Sequence, residues 1–76
     1  QDNVLSPMHG VIKFKNIKKG LHVKKGEVLM LLEAMKMEYS LTCPRNGIIE
    51  EIHVKDGQQA GEGMELLTLK KDLNDG

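Results

Sequence analysis

The chain repeats itself, and the repeat constrains its fold more than any other feature. Displaced by 37 positions, residues 7–32 lie over 44–69 without a gap. Pro7 meets Pro44, Gly10 meets Gly47, Lys18 meets Lys55, Gly20 meets Gly57 and Gly26 meets Gly63. Val11, Ile12, Ile17, Leu29, Met30 and Leu32 meet Ile48, Ile49, Val54, Leu66, Leu67 and Leu69. Glycine and proline fix backbone conformation, so matching them matches turns as well as composition. One short unit is written twice, and Lys36 stands in the connector between the copies.

The unit is a β unit. No stretch sustains apolar residues at i, i+3, i+4, and short β-branched runs punctuated by glycine recur instead. Strands are expected near 4–6, 10–15, 28–34, 37–43, 47–54 and 65–70, with shorter pieces at 21–23 and 58–60. Pro44-Arg45-Asn46-Gly47 reads as a turn, because Asn and Gly tolerate positive φ. The inward face of 28–32 stays open, since the repeat sets Val28 on Glu65 and Leu31 on Thr68, and neither parity is purely apolar. Residues 72–76 (Asp-Leu-Asn-Asp-Gly) read as a frayed tail.

Two short β units cannot each bury a core alone. The expected fold is all-β: a flattened antiparallel β-sandwich or barrel of two units related by a pseudo-two-fold, a barrel-sandwich hybrid. Residues 1–76 make a single domain, folded over about 4–71. A chain of this size buries only about 60% of its unfolded surface, leaving little room for a deep active site. Adding 37 to 33–34 gives 70–71, and subtracting it from 38–43 gives 1–6. Strand 1–6 should therefore adjoin 65–71 as 37–43 adjoins 28–34. The two-fold then sets the Lys36 hairpin and the chain ends at opposite ends of the domain. Starting at Gln1, the chain reads as cut from something longer.

Eleven basic and eleven acidic residues cancel, which removes the basic footprint of a nucleic-acid binder. Lys18-Lys19 and Lys24-Lys25 read as solvated turn flanks. The longest apolar run, 28–32, is far too short to span a bilayer, and no signal peptide is visible. A lone cysteine, Cys43, forms no internal disulfide and reads as a small buried hydrophobe. With the missing signal, this suits a soluble intracellular protein of the cytoplasm or mitochondrial matrix. His9, His22 and His53 lack ligand spacing, so no metal site is expected. Residues 57–63 are glycine-rich but fit neither G-x-G-x-x-G nor a P-loop, and read as repeat architecture.

The apex between the copies breaks a local rule. Tight two-residue hairpins favour Asn, Gly or Asp, because both central residues need positive φ. This apex is Met35-Lys36, with none of those residues near it. A local rule broken without visible compensation often marks a functional site. A lysine at a hairpin tip projects an amine on four methylenes, and flanking Met35 and Met37 add soft, adaptable contact surface.

Glu33-Ala34-Met35-Lys36-Met37-Glu38, with Ser6-Pro7-Met8 upstream and Pro44-x-x-Gly47 downstream, resembles the biotinyl domain of biotin-dependent carboxylases. The resemblance covers about residues 4–70. The protruding thumb of some bacterial acetyl-CoA carboxylase carriers has no counterpart, because the copies align without insertion. It implies covalent biotin on Lys36, attached by a biotin protein ligase that reads Met35 and Met37. Ala34, Glu33 and Glu38 become candidate ligase contacts, with a solubilising cross-strand pair as the alternative for the two glutamates. It also implies a non-catalytic carrier serving biotin carboxylase and carboxyltransferase domains, without nucleic-acid or membrane partners. Two readings compete: a lipoyl carrier of the same fold, and a plain β interaction module. Lipoyl domains usually place Asp before the lysine and a small residue after it, where this chain has Met35 and Met37.

Overall fold

A computed structural model of the chain describes residues 2–72. It is all-β, with strands β1 (Asp2–Leu5), β2 (Gly10–Phe14), β3 (His22–Val23), β4 (Val28–Ala34), β5 (Met37–Thr42), β6 (Gly47–Ile52), β7 (Gln59–Ala60) and β8 (Glu65–Lys70). They form two antiparallel four-stranded sheets, ordered β1-β8-β6-β3 and β5-β4-β2-β7.

Advancing β4, β2 and β3 by 37 residues gives β8, β6 and β7, and the same step carries 2–5 into β5. Each sheet order is thus the other with the copies exchanged. Strand β1 does adjoin β8 as β5 adjoins β4. The two copies do not each own a sheet, however. Each sheet takes two strands from each copy, because short β3 pairs with β6 and short β7 with β2. The crossing bonds repeat as well: Ile12 N–H donates to Gln58 O at 2.8 Å and Ile49 N–H to Leu21 O at 2.9 Å.

The core lies between the sheets, where Ile12, Leu29, Met30, Leu32, Ile49, Leu66, Leu67 and Leu69 are fully buried. The parity left open by the sequence is settled by a bulge. Between Val28 and Met30, β4 spends two residues against one step of β5, from Thr42 to Leu41. Strand β8 does the same opposite β1, where Val4 faces Leu67 and Leu5 faces Glu65. A bulge interrupts the alternation of faces. Consecutive Leu29-Met30 and Leu66-Leu67 are therefore all buried. Buried Thr68 is satisfied by its neighbours: its hydroxyl donates to Asn3 Oδ1 at 2.9 Å and contacts His53 Nε2 at 2.7 Å. With its one proton spent on Asn3, the hydroxyl accepts from His53.

Two described residues near the ends, Asp2 and Asp72, lie beyond the expected folded span yet are held in place. Strand β1 starts at Asp2, which pairs with Leu69 and whose carboxylate lies 3.0 Å from Arg45 Nη1. Of the segment read as a frayed tail, residues 73–76 lie outside the described residues. Asp72 does not fray, because its carboxylate lies 2.8 Å from His22 Nδ1 on β3. Among the described residues, no helix is long and apolar enough to cross a membrane.

Candidate functional site: the lysine hairpin

Strands β4 and β5 run in register up to Ala34↔Met37, leaving two residues, Met35 and Lys36, to turn the chain. Both adopt positive φ, 50° and 67°. This is the type I′ pattern, whose twist matches that of the flanking strands. The left-handed region costs an L-residue with a Cβ roughly 1–2 kcal/mol. The register leaves no alternative. Shifting β5 by one residue would turn Leu41, now buried opposite Met30, to the outside. Packing far from the tip thus holds the tip in a conformation its own residues do not favour.

The tip is open. Met35 is 93% exposed and Met37 58%, while the large aliphatics of β4 are buried or half-buried. Lys36 is exposed and, among the described residues, has no acidic partner. Tyr39 Oη lies 3.8 Å from Met37 Sδ, a weak contact along β5. Ala34 is half-buried at the last paired position.

The stem is rigid on both sides. Strand β5 holds one edge, and β2 approaches the other so closely that a Cβ on Gly10 would sit 2.7 Å from Glu33 O. Glycine here is a matter of space, and Gly47 repeats it against Lys70 O at 2.7 Å. Glu33 and Glu38 face each other directly across β4 and β5. Like charges in that position repel, so the two do not stabilise one another as a pair. Lys13 on β2 resolves this, with Nζ at 3.2 Å from Glu33 Oε2 and 3.8 Å from Glu38 Oε2. The Glu33 hydrogen bond, then its charge, raises the Lys13 pKa above the ordinary lysine value.

The sequence singled out Lys36 and its neighbours but not Lys13. A signal existed: Lys13 aligns with Glu50, a charge reversal directly after the matched Gly10-Val11-Ile12 and Gly47-Ile48-Ile49. Cys43 is buried, burial raises its thiol pKa, and its Sγ donates to Arg45 O at 2.8 Å. Its repeat mate Ser6 makes the same bond to Met8 O at 2.7 Å, so Cys43 acts as a structural donor. Among the described residues, no group of three or more His, Cys, Asp or Glu side chains could hold a metal ion. The hairpin therefore offers one chemical resource: a primary amine without a salt bridge, on a stiff stem, with an apolar collar. That suits covalent attachment of a group whose chemistry happens elsewhere.

The family described as "Biotin-requiring enzyme" has a sequence model that matches residues 2–69. The chain is 37% identical over 67 residues to "Biotin carboxyl carrier protein of acetyl-CoA carboxylase" of Solanum lycopersicum, covering 88% of this chain and 96% of that protein. It is 33% identical over 75 residues to "Methylcrotonoyl-CoA carboxylase subunit alpha, mitochondrial" of Mus musculus, covering 99% of this chain but 10% of that one. Among solved structures, one described as "Structure and function of a single-chain, multi-domain long-chain acyl-coa carboxylase" matches with a TM-score of 0.85 and 28% identity, covering 97% of this chain and 8% of that one. The chain spans nearly all of the tomato protein and about a tenth of the longer relatives. With matching sequence, repeat topology and an exposed lysine tip, this chain belongs to the family of biotin-requiring enzymes, as a biotinyl-type attachment domain.

Proposed function

We propose that this chain is a biotin carboxyl carrier domain of a biotin-dependent carboxylase, with Lys36 as the attachment residue. The observation that carries the reading is the two-residue turn, which holds Lys36 exposed between exposed Met35 and Met37. A biotin protein ligase would join the biotin carboxyl group to Lys36 Nζ as an amide. The new N–C bond forms as the activating group leaves the acyl carbon. The amine must shed its proton first, and among the described residues no carboxylate pairs with Lys36 to take it, so the ligase supplies the base. Attached biotin provides a ureido nitrogen that takes up CO₂ at a biotin carboxylase site and gives it up at a carboxyltransferase site.

This chain's own residues do the rest. Met35 and Met37 give the ligase and both enzyme sites an apolar grip around the modified side chain. Ala34, Glu33 and Glu38 form the stem face that a ligase would meet next. Lys13 keeps that stem closed by bridging two opposed carboxylates and offsetting part of their charge. The rigid sandwich keeps the tip geometry constant as the domain travels between sites. Tethered through its termini, it would work as a carrier module within a longer chain or complex, its effective concentration set by the linker. The named relatives are carboxylase components, which favours biotin over the lipoyl reading.

Incubating the chain with biotin protein ligase, ATP and biotin tests this directly. Intact mass should show one biotin per chain, and peptide mapping should place it on Lys36. Lys36→Arg keeps the positive charge but should take up none. Biotin on another lysine, or on the Arg variant, overturns the assignment.

A further inference from the structure

We infer that the domain carries a second recognition surface, at the end remote from Lys36: a basic hollow that docks an acidic protein segment. The hollow is open, about 520 Å³, and lined by Lys25, Arg45, Asn46 and Lys71. Its position follows from the pairing. Lys25 lies in the loop that leads into β4, while Lys36 follows the other end of that strand. Seven strand residues at roughly 3.3 Å each put about 20 Å between the two ends. Lys25 N–H donates to Asn46 Oδ1 at 2.8 Å, and Arg45 reaches Asp2 at the start of β1. The hollow therefore adjoins the chain entry and, through Lys71, the end of β8.

The repeat shows that the fold does not need these cations. Their mates 37 positions away are Glu62 for Lys25, Met8 for Arg45, His9 for Asn46 and Ala34 for Lys71. The backbone bonds of the two loops are nevertheless the same. Cys43 N–H donates to Glu27 O at 2.7 Å and Ser6 N–H to Met64 O at 2.9 Å; Gly26 N–H donates to Cys43 O at 2.8 Å and Gly63 N–H to Ser6 O at 2.7 Å. One scaffold thus folds with three cations at one end and none at the equivalent place. Lys25 and Lys71 line the same hollow and have no acidic partner among the described residues. Charge that folding does not require, and that the described residues neutralise only at Arg45, fits a surface completed by a partner.

The chemistry favours carboxylates. Asp2 already places one 3.0 Å from Arg45 Nη1, the kind of pairing that a docked carboxylate would repeat at Lys25 and Lys71. The chain as a whole is neutral, which gives no extended field to hold a polyanion such as nucleic acid. An acidic segment docked here would hold the domain by its tethered end and leave the Lys36 tip free to enter an active site. That consequence rests on the carrier reading; the surface itself does not.

NMR titration of the 76-residue chain with a hexaglutamate peptide at low ionic strength tests the inference, with inorganic phosphate as a second arm. Amide shifts should centre on Lys25, Asn46 and Lys71 and fade as salt approaches 0.15 M, where the Debye length is about 8 Å. Lys25→Glu/Lys71→Glu should weaken the peptide roughly tenfold, and Lys25→Gln/Lys71→Gln by less. Both variants should melt near the parent and accept biotin on Lys36 to the same extent, which separates this test from that of the carrier function. No shift, shifts spread over Lys15, Lys18 and Lys19, or unchanged affinity in the Glu variant would overturn the inference. Saturation by phosphate without any response to the peptide would replace it with a small-anion site.

Discussion

Met35→Asn is expected to make this domain more stable and less useful. Met35 holds φ 50° in the turn and is 93% exposed. Its left-handed backbone costs roughly 1–2 kcal/mol, and an exposed side chain recovers little of that through burial. Asn tolerates the region because its short polar side chain bonds locally, so relieving about half the cost should add about 0.5–1 kcal/mol. For a domain of this size, that raises Tm by about 2–8 °C. Met35→Gly relieves the same strain but loses roughly 0.5–1 kcal/mol to unfolded-chain entropy, so it should fall near the parent. Met37→Asn is the control: Met37 lies in β5 without positive φ and should gain nothing. Urea melts at constant m report the order Asn above Gly, with Met37→Asn at or below the parent. Biotin incorporation by the ligase should fall in Met35→Asn, because the apolar collar is broken. If Met35→Asn lowers the midpoint instead, Met35 makes packing contacts that its exposure conceals, and the strained-tip argument fails.

Gly47→Ala should cost about 1–3 kcal/mol, because its Cβ would meet the Lys70 carbonyl oxygen at 2.7 Å, a backbone atom that cannot swing aside; an unchanged urea midpoint would contradict this. Lys13→Met should destabilise the hairpin stem and raise the KM for ligase, and adding Glu38→Gln should restore part of both, since the opposed carboxylates are then relieved. The sign for pH follows from the raised Lys13 pKa: its contribution is complete below the ordinary value of 10.5 and is lost as pH rises through the folded-state value. The stability gap between parent and Lys13→Met should therefore shrink only under strongly alkaline conditions, and a gap that vanished at neutral pH would refute the bridge. Cys43 should alkylate slowly at pH 8 in the native chain and rapidly in urea, because burial raises the thiol pKa. Cys43→Ser should stay within about 1 kcal/mol of the parent, since Ser6 already makes the equivalent bond.

The sequence alone determined a good deal. Turn glycines and prolines matched across 37 positions dictated one β unit used twice, its strand list, and the pairing of the chain ends. These features were legible because turn chemistry and strand period are local. The same locality exposed Lys36, since a Met-Lys apex violates a rule that depends on two φ angles. Other features needed the tertiary structure. The bulges that bury Leu29 beside Met30 depend on a partner strand advancing one residue while this strand advances two, which no pattern within one strand encodes. The exchange of β3 and β7 between sheets is likewise a long-range choice made by two-residue strands, too short to carry a period. Lys13 is the plainest case. It lies 20 residues from Glu33 and 25 from Glu38 in the chain, and only the β2–β4–β5 order brings its amine between their carboxylates. Sequence sets what each segment prefers; the sheet order decides which charges meet across it, because that meeting exists only after the strands have paired.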